Sequence, residues 1–261
     1  MLDLDDLKLS DAYKKHQLFE EINYIREFYD SLSFSSIFIY PKGTTAYLNF
    51  ASYIYTAIQG TLDSIQTLLR IGRINDAYTL VRKYFDDVLL EIYIDVIRKE
   101  KFDREECLVV KDVDEWLKGK HRIPTLRKLL LILEQSDFTK DIYTFFGWNT
   151  YFKHNRDFLD DSVHGNRYSL IILNCNRIAI ENREKHLQNI LIIINQIFVM
   201  HLAFIFHLNP MFLRASDYMD NIEMNMKPPK GSENRIAPFA QQAFDKYLKQ
   251  KKYSLKGCIY N

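Results

Sequence analysis

The sequence predicts an all-α fold, and three observations predict it. With 47% of its 261 residues hydrophobic, the chain can fill a sizeable core. Only eight glycines and six prolines interrupt it, while Phe (18), Tyr (17), Leu and Ile abound, so periodic segments run long without punctuation. Apolar residues in those segments recur at helical rather than strand spacing.

Taken in order, residues 11–31 place Leu18, Phe19, Ile22, Ile25, Phe28 and Tyr29 on one face, an amphipathic first helix. "SLSFSSIFIYPKG" is a connector by its Ser, Pro and Gly, and Thr44 or Thr45 is placed to cap a helix reaching about Arg70. "IGRIND" makes a short turn, with Asn75 or Asp76 as the cap of a third helix whose face runs from Ala77 through Val81, Val88 and Ile92 to Val96. Two long helices joined so briefly lie antiparallel. From Arg98 to Asp114 the chain is charged and patternless, which predicts an exposed excursion before a short "VDEWLKGK" element. Pro124 suits the first turn of a helix through about Glu134. Asn149 or Thr150 can cap another, ending near His164 with Gly165 as its left-handed C-terminal residue. "RYSLIILNCN" reads as a helix start, and the last long helix runs from about Ile178 to His207, stopping before Pro210. Beyond Arg214, "KPPKGSEN" is a loop and "APFAQQAFDKYLKQKK" a short helix. The predicted organisation is one helical domain, residues 1–213, with its core at about 45–207, and a C-terminal extension over 214–261.

Several function classes drop out on composition. The 35 basic residues nearly balance the 34 acidic ones, so nucleic-acid binding would depend on a local patch. "KGKHRIPTLRK" (118–128), a group at Lys153, Arg156 and Arg167, and "KQKK" are the local basic groups; scattered charges of this kind also serve plain solubility. Cys107, Cys175 and Cys258 have neither disulfide nor zinc-ligand spacing, and the seven histidines include no HExxH pattern. No metal or cofactor is expected. The acidic N-terminal stretch has no signal-peptide pattern, which predicts a cytoplasmic protein. "ILIIINQIFVMHLAFIFHL" (190–208) is nearly long enough to cross a bilayer, but Asn195, Gln196 and His201 would be costly there, so a core helix is the expectation and a membrane role ranks third.

Two segments can carry chemistry. In "LVRKYFDDVLLEIYI", Arg82 and Asp86 stand four apart and can pair, and Asp87 and Glu91 form a second column; both read equally as solvated helix faces. In "NRDFLDDSVHGNRY", Arg156, Asp160 and His164 form a drifting column about 12 Å long. There Asp160 or Asp161 can orient the imidazole, and an arginine supplies the fixed charge that phosphate recognition needs. A histidine in the last turn of a helix, before a glycine, is equally what the helix dipole favours.

The helix pair "LDSIQTLLRIGRINDAYTLVRKYFDDVLLEIYI", followed by "DDSVHG", resembles the bacterial HEPN-like helical proteins. The likeness is to an uncharacterised branch with an Arg and an acid on the second long helix and a Ser-x-x-His-Gly-like motif. It covers about residues 45–207. The resemblance implies an antiparallel bundle of four to five long helices that forms homodimers. In active members it implies a metal-independent ribonuclease of toxin–antitoxin or phage-defence systems, built on Arg-x4-6-His. Carried over, His164 matches the histidine, Arg156 is the nearest arginine, and Arg82 with Asp86 match the acid-paired arginine; by their place in the local sequence, Asp160, Asp161 and Arg167 would support them. Seven residues separate Arg156 from His164, and the position giving six holds Asp157. That departure keeps open a second reading, a non-catalytic binding or regulatory subunit with a partner protein of such a system.

Overall fold

The computed structural model describes residues 9–37, 43, 45–105, 109–147, 152–175 and 183–249, and among these the chain forms helices and no strand. The first amphipathic segment divides in two. Ser10 caps a single turn, α1 (Asp11–Lys14), by accepting the Tyr13 amide at 2.9 Å, and α2 (Leu18–Ser35) begins where His16 Nδ1 accepts the Leu18 amide at 3.1 Å. The expected single helix over 11–31 is broken because that imidazole takes up a backbone donor.

A 3₁₀ turn, Tyr47–Asn49, precedes α3 (Phe50–Arg70), so the helix starts later than a Thr45 cap predicts; Thr44 lies outside the described residues. The helical spacing of its apolar residues is expressed as a buried stripe, with Phe50, Ile58, Leu62, Ile65 and Leu69 in the core and Tyr47 and Ile54 half-buried at its edge. At the α3–α4 turn Gly72 adopts φ +76°, and the Arg73 amide reaches back to the Leu68 carbonyl at 2.9 Å, a left-handed termination that favours glycine.

Helix α4 (Ile74–Glu105) is the 32-residue spine of the molecule, packed on α3, α10, α8 and α6. Its cap is neither Asn75 nor Asp76. Asn174 supplies it from a distance, its Oδ1 accepting the Asn75 and Asp76 amides at 3.0 and 3.3 Å while its Nδ2 donates to Asp76 at 2.7 Å. Nor does α4 end at Arg98. The predicted excursion is helical to Glu105 because its polar side chains find partners: Arg98 lies over the Phe50 ring at 4.9 Å, Lys99 over Phe138 at 5.3 Å, and Glu100 accepts from Ser136 Oγ at 2.6 Å. Tertiary contact of this kind sustains a helix that propensity leaves marginal.

The short helices α5 (Lys111–Leu117), α6 (Leu126–Gln135) and α7 (Lys140–Phe145) follow. Pro124 lies outside α6, with the flanking position taken by extended Thr125, rather than inside its first turn. Helix α8 (Lys153–Val163) ends as predicted, with His164 flanking it and Gly165 at φ +63°; the proposed caps Asn149 and Thr150 lie outside the described residues. "RYSLIILNCN" is helical where described, as α9 (Tyr168–Ile171) and a 3₁₀ turn to Asn174.

Helix α10 (Arg183–Leu208) is long and apolar enough to cross a bilayer, yet 67% of its most apolar window is buried inside the bundle, as a core helix requires. Its predicted start at Ile178 lies outside the described residues. Helices α2, α3, α4 and α10 enclose the core, each fully buried Leu, Ile or Phe contributing about 1.5–3 kcal/mol.

Among the described residues beyond Leu213 there are two α-helices where one is predicted, α11 (Ser216–Glu223) and α12 (Pro238–Ala243), the latter running into a π-helical turn over Phe244–Lys249. This extension joins the main core. Phe239 meets Phe28 at 5.4 Å, Tyr247 meets Phe198 at 5.0 Å, and Lys246 pairs with Glu21 at 2.8 Å.

Candidate functional site

Helix α8 lies against α4 because its apolar face fits there. Phe158 meets Tyr78 edge-on at 5.2 Å, Phe152 stacks with Phe85 at 5.9 Å, and Leu159 is fully buried. This packing brings the two chemistry-bearing segments together across 78 residues of sequence.

Arg82 is the centre of the assembly, with its side chain only 9% exposed. Its Nε donates to Asp160 Oδ1 at 2.6 Å, and its Nη1 pairs with Asp86 on its own helix. Burial works against the guanidinium charge, but hydrogen bonds and attraction from Asp86 and Asp160 outweigh it and hold the group more firmly protonated than usual. The second Asp160 oxygen faces Arg156 Nη2 at 3.6 Å, so one carboxylate bridges an arginine from each helix. Arg156 is held loosely, and its Nε has no hydrogen-bond partner among the described residues.

One turn on, His164 flanks the end of α8, its amide bonded to the Asp160 carbonyl at 3.0 Å. Its side chain is exposed and, among the described residues, pairs with nothing. Neither aspartate orients the imidazole, contrary to the sequence expectation: Asp160 serves the two arginines, while Asp161 pairs with Arg167 Nε at 2.6 Å and accepts from Asn166 Nδ2 at 3.3 Å. Ser162 stands two residues before His164, one fewer than in the motif it resembles, and is buried with no partner for its Oγ among the described residues. The structure thus brings Arg82, Asp86, Asp160 and Arg156 into one ion-paired group, pins Arg167 to Asp161, and leaves His164 open to solvent beside them.

Helix rotation hides a second cluster. Glu91, expected to share a surface column with Asp87, is buried in the core, while Asp87 pairs with Lys83. Glu91 accepts from Tyr55 Oη and pairs with His201 Nε2 at 2.9 Å; His201 Nδ1 meets Tyr29 Oη at 2.7 Å, and Tyr29 meets Tyr84 at 3.0 Å. Asp95, one turn along α4, lies beside Glu91 and accepts from Asn209, with Arg98 Nη1 at 3.5 Å. Burial, and then the neighbouring Glu91 charge, push Asp95 well above the usual carboxylate range, and burial raises Glu91 as well. Each carboxyl therefore holds its proton more firmly than an exposed acid does, Asp95 the more so. Burial also lowers His201 to about 3, against the attraction of Asp95, so its ring is neutral. No group of His, Cys, Asp and Glu among the described residues is arranged to hold a metal ion.

The signal for this network was present. Glu91 and Asp95 fall three and seven residues after Val88, in phase with the apolar stripe of α4. Of the remaining histidines, His186 lies beside Tyr78 at 3.2 Å, whereas His121, His154 and His207 are exposed. Cys175 is a free thiol; Cys107 and Cys258 lie outside the described residues.

No family model, curated protein or solved structure matches this chain. The all-α fold stands on the helices themselves, and function must be argued from the side chains.

Proposed function

We propose that the chain is an HEPN-like, metal-independent endoribonuclease of a bacterial phage-defence or toxin system, working in the cytoplasm as a homodimer. One observation carries the reading: the Asp160 carboxylate ties Arg82 of α4 to Arg156 of α8 one turn before a solvent-open, unpartnered His164. The His164 imidazole takes the proton of a ribose 2′-hydroxyl as that oxygen attacks the adjacent phosphorus. The P–O5′ bond breaks, the 5′ oxygen takes a proton from water, and the upstream fragment ends in a 2′,3′-cyclic phosphate. Arg156, supported by Arg167, stabilises charge on the phosphoryl oxygens. Arg82 and Asp86 act from behind by fixing Asp160.

A specific observation favours the second reading, a non-catalytic binding or regulatory subunit. Arg82 is matched by two carboxylates and Arg156 shares one of them, so little of their charge is left for phosphate. Total RNA and tRNA incubated with the wild type and with His164→Ala and Arg156→Ala variants separate the two. The ribonuclease reading expects cleavage by the wild type, slowed roughly 100-fold or more with His164→Ala, the low end of what a general base contributes. Equal cleavage by all three proteins would sink it, and a stable dimer with no cleavage belongs to the second reading.

A further inference from the structure

Beside His164 lies an aromatic side chain that the ion-paired group does not use. Tyr168 is 78% exposed, whereas every other described tyrosine is buried or half-buried, and its ring has no contact with another ring or charge among the described residues. Its position is fixed. The α8 terminus is closed by the Asn166 amide bonding the Asp161 carbonyl at 3.1 Å, and Arg167 returns to the Asp161 carboxylate at 2.6 Å. Leu170 and Leu173 are buried, anchoring α9 and the turn after it to the core. Ile171 lies against the turn that follows His164, its Cδ1 being 3.6 Å from where a side chain on Gly165 would begin. Three residues apart on a helix, Tyr168 and Ile171 share a face, with Cβ atoms about 5–6 Å apart. Tyr168 is therefore held on the side of α9 that meets the His164–Gly165 turn.

From this geometry we infer that Tyr168 is a base-stacking platform, and that the site accepts single-stranded RNA whose unpaired base lies on the Tyr168 ring while its phosphate lies toward His164 and Arg167. The inference rests on the ribonuclease reading and adds to it a residue that positions the substrate. The chemistry fits an unpaired base in particular. A tyrosine face stacks any base without reading its edge, and bases inside a duplex present no free face to it. A tyrosine ring on an anchored backbone has only two side-chain torsions to order on binding, and the neighbouring arginine matches a backbone phosphate. Because Tyr168 would touch the base and not the reacting atoms, it is a positioning residue.

The test uses the full chain carrying His164→Ala, so that RNA survives the measurement, and a fluorescein-labelled 12-nucleotide single-stranded RNA, its abasic counterpart, and the same RNA in a blunt duplex. Stacking predicts that Tyr168→Leu weakens single-strand binding roughly ten-fold or more, the range found when a stacking aromatic is truncated, and that Tyr168→Phe restores it. The abasic strand and the duplex should bind the tyrosine protein as weakly as the intact strand binds the leucine variant. Equal affinity of the tyrosine protein and the Tyr168→Leu variant, or tighter binding of the duplex, overturns the proposal. So does loss of binding in the phenylalanine variant, which would indicate a hydroxyl contact. Unchanged melting temperatures check that every variant is folded, as expected at so exposed a position. A separate arm, cleavage by the chain with His164 intact, distinguishes the two levels. Cleavage that needs His164 but is indifferent to Tyr168 in KM overturns stacking alone, whereas Tyr168-dependent binding without His164-dependent cleavage overturns the nuclease reading alone.

Discussion

At Asp95, burial strengthens an acid's hold on its proton, with a measurable consequence. The folded state holds its proton well above the ordinary value of 3.8, so stability falls as pH rises from that value toward the raised one, at about 1.4 kcal/mol per pH unit. His201 acts in the opposite sense: lowered from 6.5 to about 3, it costs stability as pH falls below 6.5, and above 6.5 it contributes no slope. Urea unfolding of Asp95→Asn and wild type at pH 7 and 8 therefore isolates the carboxyl. Asparagine keeps an N–H toward Glu91 and a carbonyl toward Asn209, so the variant should gain on the wild type as pH rises, by at most about 1.4 kcal/mol per unit. A constant difference would show that Asp95 is already ionised. The network was only half legible in the sequence. The spacing of Glu91 and Asp95 placed them on the core face, but charged residues are so seldom fully buried that a surface column was the natural expectation. Their partners, Tyr29, Tyr55 and His201, come from three other helices that only the assembled fold brings near.

Among the elements, the contact of α8 with α4 decides the site, and Arg82 is its polar tie. Arg82→Met leaves Asp160 with Arg156 alone and Asp86 without its arginine, and should lower stability by about 1 kcal/mol or more in thermal or urea unfolding. A second tie is the Asn174 cap. Its loss in Asn174→Ala should cost about 1 kcal/mol, a test of whether α4 is started by a side chain from outside the helix. Helix α3 offers a change in the other direction. Gly60 sits mid-helix, exposed, with open space around its missing Cβ, so Gly60→Ala should stabilise by about 0.5–1 kcal/mol. Helix interiors were well marked by their apolar stripes, as in Phe50 through Leu69. Helix ends were not, because the His16 imidazole, the Asn174 amide and the ring beneath Arg98 act across distances that local sequence does not reveal. The α8 terminus was the exception, since Gly165 at φ +63° is a purely local requirement.

For the molecule as a whole, the extension after Leu213 is part of the folded unit. Ending the chain at Arg214 would uncover Phe28 and Phe198, which Phe239 and Tyr247 cover, and should yield a protein that binds a hydrophobic dye and melts at lower temperature. Full stability in the truncated chain would mark the extension as a removable appendage. The all-α architecture was legible from composition and period alone. The candidate site was legible as two segments, with His164, Arg156 and Arg82 each named from local pattern. What sequence could not show was that Asp160 would be taken up by both arginines, leaving the imidazole free. Whether that free imidazole cuts RNA is decided by the ends it leaves. Purified protein should be incubated with single-stranded RNA in a metal chelator and the fragments weighed by mass spectrometry. The account predicts 2′,3′-cyclic phosphate ends that disappear with His164→Ala; absence of cleavage, metal-dependent cleavage, or 3′-hydroxyl ends would contradict it.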